Sequence, residues 1–324
     1  MAVNYAIPRG ASTKKSGLIL TFIIPARKCN LNCPFCVVKQ RKEALQHVLS
    51  VSDYVSFIDD LVVDDSVSAI SIQGYEPLLP ESWAYTKAIM EAARDYELPR
   101  SFITNGTYLA EKADDVLALN VTGISVSIDS GEAQHHDKLR GLQGAFQQTL
   151  NGLETIMRKD STFSEKITVS SVLIPGRRHL LQNLPERLSD LGIKMWSLSP
   201  LIKIGKQKVG GPVGDNQQIF EDVLYLREWA AKYNISFALD DELHSLSQDG
   251  FSQDNVDFSE LAIRTLERPE GLVRLGPDGA CSLGSDVLRE VGAHSFIWQR
   301  DKILPSKFLK LIQDEKYNMN TQAA

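Results

Sequence analysis

From Leu18 to about Leu198, short runs of β-branched and other apolar residues alternate with longer stretches whose apolar positions recur at helical spacing. That alternation predicts repeated strand–helix units around a parallel sheet. Six strands are expected, over Leu18–Ile24, Val67–Ile72, Arg100–Thr104, Val121–Ile128, Ile167–Ile174 and Ile193–Leu198. The first helix, capped by Ser52 or Asp53, carries Val55, Phe57, Ile58 and Leu61 on one stripe; others fall near 81–93, 109–119, 144–157 and 180–191. The crossovers are long enough to be helical, hence right-handed. The fold class that follows is α/β, a partial (β/α)6 TIM-type barrel. A doubly wound sheet is the alternative, but the regular repeat carries no sign of a reversal in strand order. In both geometries ligands bind at the carboxyl ends of the strands.

Past Pro200 the alternation weakens. Gly205–Gly214 holds four glycines and one proline and reads as a loop near the barrel mouth. Asp215 then caps a helix through about Lys232, Ile235–Leu239 reads as a strand, and 240–260 is acidic and serine-rich. Leu272–Leu283 reads as a hairpin turning at Pro277-Asp278-Gly279, and the tail past Asn318 as frayed. The expected organisation is an N-terminal segment (1–14), a barrel (15–200) and an α+β extension (201–324) covering the substrate side.

Composition narrows the class. The 324 residues are 43% hydrophobic and 23% charged, as in a globular protein with a sizeable core. The longest apolar stretch, 17–25, is too short to span a bilayer and lacks the flanks of a secretory signal, so a cytoplasmic location and no membrane partner are expected. Lys and Arg total 35 against 41 Asp and Glu, and the compact basic group Lys39–Lys42 is short, which excludes an electrostatic footprint for nucleic acid. Four cysteines in a chain of this length do not make a disulfide framework; they point to metal or redox use in a reducing compartment.

Three of them, Cys29, Cys33 and Cys36, fall within eight residues directly after the first strand. Closed zinc and iron–sulfur sites take four ligands, so three clustered thiols suggest a centre with one open position. A zinc knuckle is the competing reading, but no second ligand pair lies between Cys36 and His47. The Cys-x3-Cys-x2-Cys spacing, with the aromatic Phe35 before the last cysteine, resembles the signature of the radical S-adenosylmethionine (radical SAM) superfamily. The resemblance implies a [4Fe-4S] cluster on the three cysteines and S-adenosylmethionine on its unique iron, cleaved to methionine and a 5′-deoxyadenosyl radical that abstracts hydrogen from a substrate.

Other strand ends agree with it. Gln73-Gly74-Tyr75-Glu76-Pro77 resembles the family's Gly-Gly-Glu-Pro motif, with Tyr75 where a second glycine is usual. There the resemblance assigns the methionyl amino group to Gly74, Tyr75 and Glu76, and a carboxylate is a suitable acceptor for an ammonium. Thr104-Asn105-Gly106 and Ser127-Ile128-Asp129-Ser130 close the third and fourth strands. The resemblance gives Thr104, Asn105, Ser127 and Asp129 to the nucleoside end of the cofactor, although turn and cap chemistry also explains such residues. Arg140, in His136-Asp-Lys-Leu-Arg140, resembles a family arginine that meets the cofactor's carboxylate, which a planar guanidinium suits. Val172-Leu-Ile174, ending the fifth strand, matches apolar contacts to adenine.

Cys281 stands alone after Pro277-Asp-Gly279, a turn that in many family members announces auxiliary clusters. One thiol cannot ligate such a cluster, so Cys281 reads as a buried small hydrophobe or a hydrogen-atom donor. The six histidines show no metal-ligand spacing. The function expected is a radical SAM enzyme acting on a small biosynthetic or tailoring substrate, reduced by a donor such as flavodoxin or ferredoxin. A peptide-modifying radical enzyme is the alternative within the class; a non-catalytic iron–sulfur electron carrier or a zinc protein is the alternative outside it.

Overall fold

The computed structural model describes residues 18–24, 29–36, 48–62, 67–201, 216–240, 263–266, 272–283 and 295–297. The segment 1–14, the basic group Lys39–Lys42, the loop Gly205–Gly214, Asp215, the acidic stretch after Asp240 and the tail past Asn318 lie outside these residues.

The elements run β1 (Leu18–Ile23), α1 (Val51–Leu61), β2 (Val67–Gln73), α2 (Pro80–Asp95), β3 (Arg100–Thr104), α3 (Ala113–Ala118), β4 (Gly123–Ser127), α4 (Ala133–Arg140), α5 (Ala145–Lys159), β5 (Ile167–Leu173), α6 (Leu184–Asp190), β6 (Met195–Pro200), α7 (Asn216–Lys232), β7 (Ser236–Asp240), β8 (Ile263–Leu266), β9 (Leu272–Leu275), β10 (Ala280–Leu283) and β11 (Ser295–Ile297). Strands β1 to β8 lie side by side in chain order, each parallel to the next, so there is no reversal point and the doubly wound alternative falls away. The sheet is an open barrel wall. It continues past the six barrel strands through β7, which matches the strand expected at Ile235–Leu239, and through β8, whose four residues carry little periodicity of their own.

On the other side of β1 lies β9, also parallel, followed by the antiparallel β10 and β11. The expected hairpin is present: Leu275 faces Cys281 across it, and Gly279 N–H closes the turn on Gly276 O at 3.1 Å. The turn is tied to the residue just before the cap of α1, because Leu49 N–H donates to Pro277 O at 2.8 Å.

One local expectation is corrected. The cap of α1 is Ser50, not Ser52 or Asp53: its hydroxyl accepts from Asp53 N–H while Asp53 Oδ2 accepts from Ser50 N–H at 2.7 Å. This reciprocal box satisfies two backbone donors at once, which a lone Ser52 or Asp53 does not. An additional helix, α4, occupies a stretch without apolar periodicity. Its buried side is built from His136, Leu139 and Arg140, so polar groups do the packing.

The two faces of the strands differ in character. Leu20, Phe22, Ile70, Ile72, Phe102, Ile124, Val126, Val169, Trp196, Leu198, Phe237 and Leu239 turn towards the helices and form one continuous core with residues such as Tyr54, Phe57, Ile89, Leu153 and Leu226. The residues between them, including Thr21, Ser71, Ser101, Ser125, Thr168, Ser170 and Ser197, turn to the inner face, because successive strand side chains alternate.

Candidate active site

The loop 29–36 leaves the carboxyl end of β1 and is held against the end of α4 by backbone contacts. Asn32 N–H donates to Arg140 O at 2.9 Å. The next residue, Gly141, has φ +69°, and a Cβ there would lie 2.6 Å from Asn32 O, so glycine is required on both counts. Within the loop Cys36 N–H donates to Cys33 O at 3.2 Å, Leu31 is buried, and Phe35 packs with Leu139 and Ile174. All three clustered cysteines are half-buried.

Beneath the loop, Arg140 and Asp129 form a buried ion pair, Nε to Oδ2 at 2.7 Å. The other Asp129 oxygen accepts from Val172 N–H at 2.9 Å. Burial pushes the Asp129 carboxyl upward and Arg140 opposes that push. The same guanidinium reaches Cys33, with Nη1 4.0 Å from Sγ, and lies 5.8 Å from the Phe35 ring centre. Burial raises the Cys33 thiol above its usual range, and Arg140 pulls it back toward thiolate. His136 accepts from Asp129 N–H at Nδ1, 3.2 Å away. Burial and then Arg140 lower its pKa to about 3, so it is a neutral acceptor.

A second polar group joins the ends of β2 and β3 to the same loop. Buried Glu76 accepts from Thr104 Oγ1 at 2.6 Å, Asn105 N–H at 2.7 Å and Leu78 N–H at 3.1 Å. Desolvation outweighs these bonds and carries its pKa to about 7. Asn105 Nδ2 lies 3.0 Å from Asn30 Oδ1 and 3.7 Å from Cys29 Sγ, and Asn30 in turn donates to Thr107 Oγ1 at 2.9 Å. The turn itself needs Gly106: φ is +79°, and a Cβ would meet Thr149 Cγ2 at 2.7 Å.

Thus Cys29, Cys33, Phe35, Glu76, Thr104, Asn105, Asp129 and Arg140 fall into one assembly at the strand ends. Gly74 (φ +81°) and the half-buried Tyr75 form the turn leading into Glu76. Ser127 is half-buried on the inner face beside Ser170. Cys281 lies apart, on β10 and wholly inside the apolar core, where burial pushes its thiol far upward. Asn30, Thr107 and His136 belong to the assembly without having been assigned roles. Asn30 was flagged only by lying between two ligand candidates, and Thr107 carried no signal.

The donor set suits a polynuclear thiolate-bound group. Leu31 N–H reaches Cys29 Sγ at 3.4 Å, and Asn105 and Arg140 direct N–H groups at Cys29 and Cys33, all of which favour sulfur bearing negative charge. Among the described residues no three His, Cys, Asp or Glu side chains are gathered tightly enough to hold a single metal ion. Nor is any helix among the described residues long and apolar enough to cross a membrane.

Residues 23–178 match the model of the radical SAM superfamily. An AdoMet-dependent heme synthase of Methanosarcina barkeri is 34% identical over 146 residues, covering 44% of this chain and 40% of the relative. A GTP 3′,8-cyclase of Listeria welshimeri is 31% identical over 154 residues, covering 46% and 44%. This chain thus spans less than half the length of either relative. Among solved structures, Streptococcus suis SuiB bound to S-adenosylmethionine superposes with a TM-score of 0.64 at 15% identity, covering 91% of this chain and 68% of that one. The anSMEcpe protein with bound AdoMet and a peptide gives 0.64 at 13% identity, covering 94% and 82%. At these identities the structural likeness speaks to the fold.

Proposed function

We propose that the chain, whose residues 23–178 match the model of the radical SAM superfamily, is an enzyme of that family that reductively cleaves S-adenosylmethionine and acts on a small molecule. The observation that carries this reading is the convergence of the cysteine loop, Arg140 and Asp129, and the Glu76–Asn105 group at the carboxyl ends of β1 to β4. Cys29, Cys33 and Cys36 would hold a [4Fe-4S] cluster. When bound, that cluster and S-adenosylmethionine supply one-electron chemistry yielding a 5′-deoxyadenosyl radical for hydrogen abstraction.

The chain's own residues prepare the seat. Glu76, with a pKa of about 7, is poised to ionise when an ammonium approaches, so the methionyl amino group is its natural partner. Arg140 anchors the loop through Asp129 and Cys33, and its remaining N–H groups suit a carboxylate. Asn105, braced by Asn30 and Glu76, keeps an amide directed at Cys29. Gly74, Tyr75, Thr104, Ser127 and Phe35 complete the cofactor's surroundings in this reading, and Cys281 remains a hydrogen-atom donor only if the core around it opens.

A small-molecule substrate is supported by relatives named for heme and GTP chemistry. A peptide substrate is the second reading, favoured by the fold likeness to SuiB with its precursor peptide. We place the reaction in the cytoplasm, with flavodoxin or ferredoxin as electron source, and assign 201–324 to covering the substrate side. The test is anaerobic reconstitution, reduction with dithionite and chromatography for 5′-deoxyadenosine. Its formation is expected; a spectroscopically intact four-iron cluster that yields none, with candidate substrates present, sinks the proposal.

A further inference from the structure

The inner face of the sheet carries hydroxyl-bearing residues set among apolar ones such as Ile19, Ile23 and Ile103, where a closed βα barrel is filled by bulky branched side chains. Residues paired in register on parallel strands share a face, so the pairing identifies what stands beside what. Arg274, Thr21, Ser71 and Ser101 form one row across β9, β1, β2 and β3. Ser101 Oγ donates to Ser71 Oγ at 3.3 Å, and so bonds along the row. Ser125 and Thr168 are paired on β4 and β5, and above them Ser127, Ser170 and Ser197 run across β4, β5 and β6. Ser101, Ser127, Thr168 and Ser170 are half-buried, so this surface is not sealed.

A row of small residues would not by itself be a site, but an independent observation points to a ligand. Thr21 Oγ1, Gln73 Nε2 and Ser125 Oγ, on residues only 0%, 3% and 0% exposed, have no hydrogen-bond partner among the described residues. By strand alternation all three belong to the inner face. Each orphaned group costs roughly 1–3 kcal/mol, and Val or Ala would remove the cost at nearly the same volume. A wall that keeps three of them is built for a partner that arrives with its own donors and acceptors.

The aromatic residues say which partner. Every aromatic side chain on β1 to β7, namely Phe22, Phe102, Trp196 and Phe237, packs into the outer core. The described strands therefore offer hydrogen bonds on their inner face and no ring of their own to stack a flat π-system on. We propose that the substrate is a polyhydroxylated aliphatic molecule of the carbohydrate type, seated on the inner face against Thr21, Gln73, Ser101 and Ser125. This rests on the radical SAM reading for its chemistry, though not for the binding. A porphyrin would leave the hydroxyl wall unsatisfied, and a peptide would match it only through its backbone.

Two measurements test the assignment separately. In the first, the purified protein is melted with aldohexoses, aldopentoses and their aldonic acids, and in parallel with coproporphyrin III and a Ser/Cys-containing peptide. A rise in Tm with at least one sugar, reduced in Thr21→Val and Ser125→Ala, is expected. Because both substitutions remove an orphaned hydroxyl, the unliganded variants should melt no lower than the parent. A rise with the porphyrin or the peptide alone, or with none of the compounds, overturns the proposal.

In the second, the reconstituted enzyme is given the responding sugar uniformly deuterated, and 5′-deoxyadenosine is examined by mass spectrometry. Deuterium in that product is expected, with the sugar's KM raised about tenfold or more in the variants, the equivalent of one lost hydrogen bond. An unchanged KM in both variants overturns the inner-face assignment. Sugar binding without any 5′-deoxyadenosine sinks the radical reading while leaving the substrate class intact.

Discussion

On β6 the two faces of one strand can be compared residue by residue. Trp196 and Leu198 enter the outer core, where the Trp196 ring meets Phe237 at 5.1 Å; Ser197 and Ser199, one position away, face inward. The outer residues fill space against helices and make few demands beyond volume. The rim residues are polar, buried, and joined by directed contacts such as Arg140 to Asp129 and Asn105 to Glu76, whereas Thr21 and Ser125 on the inner face are buried with no hydrogen-bond partner among the described residues. The lesson is that burial is shared by both faces and so identifies neither; whether the polar atoms are satisfied by the chain itself is what separates structure from function.

The largest effect that would sharpen this contrast is on the outer face. Phe102→Ala should cost about 3–5 kcal/mol of stability by chemical denaturation while leaving the loop chemistry alone in whatever protein remains folded. At the rim, Arg140→Ala strands Asp129 in the interior and should cost about 3–5 kcal/mol as well. Replacing both with apolar residues should recover much of that loss. If the double variant were as unstable as the single, a buried lone charge would not be the cause.

Stability against pH separates two rim groups by sign. His136 is held at about pH 3, so below its ordinary value of 6.5 the unfolded chain takes up a proton that the folded chain refuses. Stability therefore falls as pH drops from 6.5 toward 3, by about 1.4 kcal/mol per pH unit, and His136→Gln should flatten that limb. Glu76 is raised from 4.5 to about 7, so its contribution runs the other way and is lost as pH climbs through that window. Glu76→Gln should remove this slope, and the pH dependence of the denaturation midpoint reads both. The smallest effect, and one of opposite sign, belongs to the inner face: Ser125→Ala should raise stability by about 1 kcal/mol, the low end of what an orphaned buried hydroxyl costs. A loss of several kcal/mol would make Ser125 structural and erase the distinction between the faces.

The barrel was legible because its outer face obeys hydrophobic periodicity, and β3, Arg100–Thr104, coincides with its expected bounds. Cys29, Cys33 and Cys36 were legible through local spacing alone. α4 was not, since Leu139 is the one aliphatic side chain buried among His136 and Arg140, and the contacts that justify burying those polar groups come from β4 and the cysteine loop. Asn30 and Thr107 were illegible for the same reason, because their bonds to each other and to Asn105 join residues 75 or more positions apart in two of three cases. The hydroxylated inner face shows in sequence only as serines scattered within apolar strands, a pattern that acquires meaning once register sets them side by side.

The clasp between Asn32 and the end of α4 has a consequence for how this chain can change over time. A residue added to or removed from α4 would turn everything after it by about 100° and shift it by about 1.5 Å. Arg140 would then swing off Asp129, and Gly141 would leave the one place where Asn32 O permits no Cβ. The exposed side of α4 can drift in composition, while its length is locked to the spacing of the cysteines it braces, so insertions and deletions should accumulate everywhere around this helix before they enter it.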